Sequence, residues 1–255
     1  MSAKRVFLIV GASLAGAKAA EELRTQGFDG RVVLIGAEPE RPYERPPLTK
    51  DYLRGESARE MAYVHPGGFY EQQEIELVTG VTVTAIDPGA SRVTLDDGRV
   101  LGYDKLLLAT GAEPRRLHIP GADLDRVCYL RTLADCDLLR AQLDAGGRVV
   151  VVGAGWIGSE FASSARQRGL EVTVIDPQPL PSERIFGRDI AAFYHDVHAQ
   201  HGVEFLLGDG VEAFEGNGAV TRVRTASGRR VECDFAVAAS AWCRARAWPA
   251  TQAWR

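Results

Sequence analysis

The 255-residue sequence predicts an α/β protein with two domains, each built on a parallel sheet with helices and a small antiparallel segment. A short aliphatic run ending in a glycine-rich turn occurs twice, as VFLIVGASLAG from Val6 and as VVVVGAGWIG from Val149. Each turn leads into a stretch with helical character and then into a second aliphatic run. Continuous apolar runs are typical of parallel strands that are buried on both faces.

The two copies follow the same order, which is that of a βαβ unit made twice. They contain predicted helices at 17–26 and 159–168 and second strands at 32–35 and 172–175. Each helix is followed by a glycine, Gly27 or Gly169, as expected for a C-terminal cap.

The region between the copies predicts a loop, an antiparallel segment and a further strand. Residues 41–47 (RPYERPP) are rich in proline and are expected to form a loop. Residues 81–100 alternate and carry the turn Asp96-Asp97-Gly98, which indicates antiparallel strands. Residues 105–111 (KLLLATG) resemble the other buried strands, and 113–120 is expected to be a linker. The predicted domains are therefore residues 1–116 and 117–237, followed by a segment of different character, 238–255.

Composition excludes several classes of protein. The net charge of −4 gives no electrostatic basis for binding nucleic acid. No apolar run approaches the roughly 18 residues of a membrane span, and the N-terminus does not resemble a signal peptide, so a cytoplasmic location is expected. The four cysteines form no C-x-x-C pair and no close metal-ligand spacing, which argues against a metal site and against a thiol–disulfide relay.

Both glycine-rich turns have the chemistry of a dinucleotide site. The start of a helix offers unpaired N–H groups to a pyrophosphate, glycines allow close approach, and an acid after the second strand accepts from the ribose hydroxyls. The second copy has Gly153, Gly155 and Gly158 with Asp176; the first has Gly11, Ser13 and Gly16 with Glu38. Such turns also occur in α/β proteins that bind nothing, but two complete copies favour two dinucleotides.

The acid of the second copy also bears on the type of cofactor. A carboxylate at Asp176 would repel a 2′-phosphate and therefore favours NAD over NADP. Arg184 is the counter-argument, because an arginine near that ribose would favour NADP; its alternative is contact with the adenosine end of NAD, or with solvent only.

These motifs resemble the FAD-dependent NADH–ferredoxin reductase family, which has the pyridine nucleotide-disulfide oxidoreductase fold without the redox cysteine pair. The sharpest signal is residues 45–50 (RPPLTK), with GASLAG, LATG and GWIGSE in support. This group feeds ring-hydroxylating dioxygenases and bacterial cytochrome monooxygenases. The resemblance covers about residues 3–237. It implies FAD in the first domain, NAD in the second, and electron transfer from NADH through flavin to a ferredoxin-type iron–sulfur protein.

The resemblance also implies roles for individual residues. Lys50 would lie near the reactive nitrogen of the flavin, where a cation stabilises the anionic reduced form, and Glu160 would pair with it near the nicotinamide. Alternatively, Glu160 only complements the helix dipole from a first turn, and Lys50 is a solvated loop residue. The implied FAD contacts are Gly11, Ser13, Leu14, Ala15, Gly16, Glu38, Arg45, Lys50, Val83, Ala109, Gly111 and Arg131. The implied NAD contacts are Gly153, Gly155, Ile157, Gly158, Glu160, Asp176 and Arg184.

The C-terminal segment, AASAWCRARAWPATQAWR, has the pattern of neither a strand nor an amphipathic helix. A basic tail that binds a partner is one interpretation. Our hypothesis is instead a frameshift, because a shifted reading frame permits VVPRAGLAGDAGLA, as this family would continue. The second FAD segment and the C-terminal interface domain of the family would then be absent, so that reductase activity would be impaired.

Three interpretations of the function therefore remain open. The first is an NADH-dependent flavoprotein reductase, of the ferredoxin type or of the rubredoxin or nitrite-reductase type. The second is a catalytically inactive NAD-binding fragment. A redox-sensing NAD-binding regulator is a third reading, for which the sequence shows no partner surface.

Overall fold

The computed structural model describes residues 4–239 and the backbone of Trp242–Arg244. In these residues the strands are β1 (Val6–Val10), β2 (Arg31–Ile35), β3 (Ile75–Val78), β4 (Val83–Asp87), β5 (Arg92–Leu95), β6 (Val100–Gly102), β7 (Lys105–Leu108), β8 (Ala112–Pro114), β9 (Val127–Tyr129), β10 (Arg148–Val152), β11 (Glu171–Asp176), β12 (Val203–Leu207), β13 (Val211–Asn217), β14 (Ala219–Thr225), β15 (Arg230–Glu232), β16 (Phe235–Ala238) and β17 (Trp242–Arg244). The helices are α1 (Leu14–Thr25), α2 (Asp51–Arg54), α3 (Phe69–Gln72), α4 (Leu133–Ala145), α5 (Trp156–Gln167), α6 (Glu183–Phe186) and α7 (Arg188–Gln200), with 3₁₀ turns at Pro46–Thr49 and Arg59–Ala62.

The described chain divides into two compact units. The first contains residues 4–44 and 59–112, and the second contains residues 45–58 and 113–239. The sequence placed 45–58 in a continuous first domain ending at residue 116, whereas its packing groups it with the second unit.

The first unit is built on a four-stranded parallel sheet in the order β3-β2-β1-β7. Alternate residues of a strand point to opposite faces, and both faces are covered here. Ile9 of β1 packs with Ala20 of α1 on one face. Leu8 of the same strand packs with Val93 of β5 on the other. This explains why β1 reads as a continuous apolar run. The second layer is the antiparallel sheet β4-β5-β6.

The second unit repeats this plan on a five-stranded parallel sheet in the order β12-β11-β10-β16-β9. One face of its central strand β10 packs against the antiparallel sheet β13-β14-β15, through Val150, Phe214 and Val223. Helix α4 begins at a capping box, in which Thr132 and Asp135 each accept from the other's backbone amide. The predicted fold class, two parallel-sheet α/β domains with small antiparallel segments, is confirmed.

Residues 45–58 pack against the helices of the second unit. Leu48 and Leu53 are fully buried, and the Leu48 carbonyl accepts from the thiol of Cys136 in α4 at 3.4 Å. The hydroxyl of Ser164 in α5 donates to the Thr49 carbonyl at 2.6 Å. The predicted loop at 41–47 is interrupted by the 3₁₀ turn Pro46–Thr49, because proline has a fixed φ that suits the first position of a turn of helix.

Both repeated helices begin three residues earlier than the sequence suggested, at Leu14 and Trp156. Glycine usually disfavours a helix interior, but Gly16 and Gly158 lie inside these helices. A Cβ at Gly16 would lie 2.0 Å from the Gly11 carbonyl oxygen, and one at Gly158 would lie 1.9 Å from that of Gly153. The helix therefore crosses its own turn so closely that only glycine fits.

The helix ends match the prediction. Gly27 and Gly169 follow α1 and α5 with φ of +76° and +85°. In each case the next residue closes the turn, since the Phe28 amide donates to the Leu23 carbonyl at 2.9 Å and the Leu170 amide to that of Ala165 at 3.1 Å. This is the Schellman arrangement, in which a left-handed glycine ends the helix.

The segment after β16 differs from the expectation at one point. The backbone of Trp242–Arg244 forms the short strand β17, which pairs with β8, where no regular structure was expected. Of the segment to which the frameshift hypothesis applies, 238–255, Ala238 is the last residue of β16, and residues 240, 241 and 245–255 lie outside the described part of the chain.

Candidate functional site

The first glycine-rich turn joins β1 to α1. Gly11 has a φ of +116°, and a Cβ there would lie 2.1 Å from the Ala109 carbonyl oxygen. Leu14 and Ala15 form the exposed first turn of α1, whose leading N–H groups have no partner within the helix. Ala109 therefore adjoins the turn, and Gly111 follows two residues later with a φ of +72°. Val83 lies apart from these contacts as the first, buried residue of β4.

The second turn joins β10 to α5 in the same way. Gly153 has a φ of +107° and donates its amide to the Ile175 carbonyl at 2.8 Å. Gly155 precedes the first residue of α5 in an extended conformation, and a Cβ there would meet nothing within 4 Å. Open space beside a helix N-terminus is what a pyrophosphate requires, so this turn fits the diphosphate of a dinucleotide.

The substitution of serine in the first turn has a simple geometric explanation. Ser13 has a φ of −117° and Gly155 a φ of −78°, both of which any residue adopts. The backbone conformation at the middle position of the motif therefore does not require glycine; a glycine there only leaves more room for the pyrophosphate. A serine leaves the backbone of the turn unchanged.

The acids after the two second strands are not in equivalent positions. Val10 pairs with Ile35, and Val152 pairs with Ile175. The position that corresponds to Asp176 is therefore Gly36, and Glu38 lies two residues further along. The Cβ of a larger residue at Gly36 would lie 2.6 Å from the Cβ of Ala12, so no acid fits there.

The two acids have different hydrogen-bond donors: Asp176 accepts from backbone amides that include one of its own glycine-rich turn, whereas Glu38 accepts from a tyrosine side chain. The Asp176 carboxylate accepts from the amides of Ala154 and Gln178, each at 2.7 Å. The Glu38 carboxylate accepts a short hydrogen bond from the hydroxyl of Tyr43. Asp176 is thus fixed beside the pyrophosphate position, and Glu38 is fixed by a contact that the sequence did not suggest.

In the second unit the structure brings Lys50 and Glu160 together. The Lys50 Nζ lies 3.1 Å from Oε1 of Glu160, and the Thr49 hydroxyl donates to Oε2 at 2.5 Å. The lysine side chain is 48% exposed and the glutamate 25% exposed. Glu160 lies in the second turn of α5, since the helix begins at Trp156, so the helix-dipole explanation for it is weakened. Lys50 is an ion-paired residue rather than an isolated solvated one.

A cavity of about 190 Å³ adjoins this pair within the second unit. Its lining includes the predicted residues Arg45, Arg131 and Ile157 together with Lys50 and Glu160. The guanidinium of Arg45 donates a short hydrogen bond to the Arg131 carbonyl, which joins two of the predicted FAD contacts. Arg184 lies elsewhere, exposed on α6.

The cysteines of the described residues form no disulfide. Cys128, Cys136 and Cys233 are free, and the last two are buried. Burial raises the pKa of Cys128 to about 11 and that of Cys233 to about 12, so both stay protonated at neutral pH.

Residues 4–239 contain no cluster of His, Cys, Asp or Glu arranged to hold a metal ion. Within the same residues, no helix has the length and apolar character that crossing a membrane requires.

Two strand–turn–helix units, each with a glycine turn open beside a helix N-terminus, define the class as an α/β protein with paired dinucleotide-binding folds. Comparison with known proteins then gives the family. The chain belongs to the pyridine nucleotide-disulphide oxidoreductase family, whose model matches residues 6–246. The predicted family is thereby confirmed.

Several relatives are reductases named for their electron acceptors or systems. Rhodocoxin reductase of Rhodococcus erythropolis is 39% identical over 232 residues, which cover 91% of this chain and 54% of that protein. The ferredoxin–NAD(+) reductase component of the anthranilate 1,2-dioxygenase system of Burkholderia cepacia is 44% identical over 218 residues, 84% of this chain and 53% of that protein. The chain thus spans about half the length of the curated relatives it matches.

Solved structures that resemble this chain also include reductases. Putidaredoxin reductase, in its covalent complex with putidaredoxin, matches with a TM-score of 0.91 at 37% identity, over 94% of this chain and 59% of that one. A ferredoxin reductase of the CYP199A2 system from Rhodopseudomonas palustris matches with a TM-score of 0.89 at 36% identity, over 93% of this chain and 59% of that one.

Some features of the site were missed by sequence reasoning. Thr49 binds the same carboxylate as Lys50, and its signal was its place inside the RPPLTK motif. Tyr194 and His198 of α7 also lie close to Glu160, in a second cavity. For His198 the signal in the sequence was a histidine at every third position, 195, 198 and 201, along and just after one predicted helix.

Proposed function

We propose that this protein is a flavoprotein reductase that carries electrons from NADH, through FAD, to a ferredoxin-type iron–sulfur protein. The proposal rests on one observation above all, the two glycine turns of matching geometry in a chain whose relatives are named ferredoxin reductases. The names of those relatives support an iron–sulfur acceptor of the ferredoxin type, and two dinucleotide-binding turns are consistent with a flavin and a nicotinamide cofactor.

The residues divide between the two cofactors. NAD would be held by Gly153, Gly155, Ile157, Gly158, Asp176 and Arg184, with Glu160 at its nicotinamide. FAD would be held by Gly11, Ser13, Leu14, Ala15, Gly16, Glu38, Val83, Ala109 and Gly111, and by Arg45, Lys50 and Arg131. When bound, FAD supplies the chemistry that converts a two-electron hydride donor into a source of single electrons.

The role of the chain's own groups is binding and electrostatics. Helix α5 offers its leading amides to the NAD pyrophosphate, and Asp176 accepts from a ribose hydroxyl. Lys50 provides a fixed positive charge where negative charge develops during hydride transfer. Glu160 and Thr49 hold that ammonium in place through one carboxylate.

The visible absorption spectrum of the purified protein tests the proposal. Flavin bands that bleach when NADH is added are the expected result, because bleaching requires both cofactors to be bound in reacting positions. A colourless protein that still binds NADH would support the second candidate, an inactive NAD-binding protein. That candidate is favoured by the second turn alone having both its middle glycine and an adjacent acid, Gly155 and Asp176.

Replacing Lys50 by alanine is expected to slow the bleaching of FAD absorption by NADH about tenfold, with FAD still bound. The effect is modest for an electrostatic group because Lys50 is 48% exposed and water screens its charge. Stopped-flow absorbance measures the rate. Lys18→Ala removes a comparable ion pair, that with Glu21 at 2.8 Å, and serves as control. Equal rates in wild type and Lys50→Ala would remove Lys50 from the mechanism.

NADH is expected to be preferred over NADPH on the order of 100-fold in kcat/KM, which is about 2.7 kcal/mol. The Asp176 carboxylate is fixed by two amides, so it cannot turn away from a 2′-phosphate. Parallel initial-rate measurements with the two nucleotides check this. The substitution Asp176→Asn should reduce the ratio of kcat/KM for NADH to kcat/KM for NADPH. A preference for NADPH would show that Arg184 outweighs Asp176.

A further inference from the structure

A polar cavity of about 300 Å³ lies within the second unit, lined by residues of α2, α5 and α7. Its wall includes Lys50, Arg54, Ser159, Glu160, Tyr194 and His198. The Lys50–Glu160 pair also lines the smaller cavity of about 190 Å³ described above. One ion pair therefore borders both the proposed cofactor cavity and this second, more polar one.

His198 is buried in the wall of this cavity, with its side chain only 9% exposed. Its ring also meets that of Phe205 edge to face. Burial lowers the pKa of His198, and the neighbouring His201 and His195 lower it further, so the ring is neutral near pH 7. A neutral imidazole has one donor and one acceptor, and buried groups of this kind are almost always satisfied by protein or by ordered water.

The same wall contains a buried donor without a hydrogen-bond partner. The Arg54 Nε is buried with no hydrogen-bond partner among the described residues. The rest of its guanidinium is fixed, to Asp51 at 2.5 Å and to Glu56 at 2.7 Å. The lining contains two cations, Lys50 and Arg54, and two carboxylates, Asp51 and Glu160, so it has no net charge to attract an ion. Its unsatisfied groups suit water.

Tyr194 lies between His198 and Glu160 in this arrangement. The rings of Tyr194 and His198 meet edge to face with centroids 4.8 Å apart. Burial raises the pKa of Tyr194, the charge of Glu160 acts in the same direction, and a hydrogen bond with Ser159 opposes them. Tyr194 is therefore a neutral hydroxyl within electrostatic range of Glu160, able both to donate and to accept.

The proposed reaction leaves a proton behind, and this step rests on the proposed function. NADH gives up a hydride, which is two electrons and one proton, whereas each iron–sulfur acceptor takes a single electron. The balance is NADH plus two oxidised acceptors to NAD⁺, two reduced acceptors and one proton. Each turnover must therefore release one proton from the neighbourhood of the reacting groups.

We propose that Tyr194, His198 and water in the cavity between α2, α5 and α7 form the route by which protons pass between Glu160 and solvent. Both side chains act through Glu160. His198 suits this role because a neutral ring accepts a proton on one nitrogen while the other releases one.

The first test uses NADH oxidation with ferricyanide as a single-electron acceptor. His198→Gln, which keeps hydrogen bonding but does not titrate, is expected to lower kcat at least fivefold with an unchanged KM for NADH. The solvent isotope effect on kcat should increase, and added imidazole should restore part of the rate. The matched control is His195→Gln, one turn earlier on α7 and 30% exposed, which should behave as wild type. A wild-type rate in His198→Gln, or a loss that imidazole does not rescue, would overturn the route.

The second test needs neither FAD nor NADH. In ¹⁵N-histidine-labelled protein, Tyr194→Phe and Glu160→Gln should each change the ring-nitrogen shifts of His198 and its proton exchange with water. The signals of His195 should stay unchanged. A His198 ring that is indifferent to both substitutions would overturn the route, whatever the turnover. Absence of NADH oxidation in the wild-type protein would instead contradict the proposed function alone.

Discussion

Replacement of Gly155 by valine is expected to abolish NADH binding while the protein stays folded. A Cβ at this position meets no protein atom within 4 Å, so the branched side chain would project into the space assigned to the pyrophosphate. The φ of −78° suits valine, and the loss of stability is limited to about 1 kcal/mol for a poor residue at the helix start. The dissociation constant should rise on the order of 100-fold or more, equivalent to about 2.7 kcal/mol. Calorimetric titration with NADH measures it.

Gly155→Ser is the matched control for this substitution. Ser13 occupies the corresponding position in the first turn, so a serine preserves the backbone conformation. Its side chain also fills less of the open space than that of valine. Its affinity for NADH should stay within about tenfold of wild type, which is about 1.4 kcal/mol. Circular dichroism should show the same fold in all three proteins. Tight NADH binding by Gly155→Val would mean that the second turn is not the nucleotide site.

Replacement of Gly158 by alanine is expected to have the opposite profile, a loss of stability whether or not nucleotide is present. The added Cβ would lie 1.9 Å from the Gly153 carbonyl oxygen, so α5 must move away from its own turn. Overpacking against backbone lowers the free energy of unfolding by about 3 kcal/mol. Urea denaturation followed by circular dichroism measures this change.

The first turn supplies an internal comparison. Gly16→Ala would place a Cβ 2.0 Å from the Gly11 carbonyl oxygen and should destabilise the first unit similarly. Gly155→Ser, in open space, should change the free energy of unfolding by less than about 0.5 kcal/mol. If Gly158→Ala unfolds at the wild-type urea concentration, the close crossing of helix and turn is not a requirement of the fold.

Local sequence patterns predicted the architecture well because the architecture depends on local features. Aliphatic runs such as 149–152 are buried on both sides of a parallel sheet, and the helices end at glycines in a left-handed conformation. The helix starts were wrong for a reason that local pattern does not contain. Gly16 and Gly158 are needed for a contact between a helix and its preceding turn, and a glycine in a sequence looks the same whether it breaks a helix or permits such a contact.

Only part of the candidate site could be predicted from local sequence patterns. The two turns follow from spacing, but the pairing of Lys50 with Glu160 joins residues 110 positions apart and rested on family resemblance. The location of residues 45–58 against α4 and α5 depends on contacts of the same range, such as that of Thr49 with Ser164. Glu38 lies two residues beyond the position that corresponds to Asp176, and the crowding of Gly36 by Ala12 is a packing property that the spacing of acids along the chain does not reveal.

The membership of residues 45–58 in the second unit has a practical consequence for protein engineering. The chain leaves the first unit after residue 44, returns at residue 59 and leaves again after residue 112. No single cut separates the units, so a chimera joined only at residue 112 would combine a donor's Thr49 and Lys50 with this chain's Ser164 and Glu160. Exchange of nucleotide specificity between homologues therefore requires three crossovers in the gene, after residues 44, 58 and 112, so that residues 45–58 are transferred together with the segment that begins at residue 113.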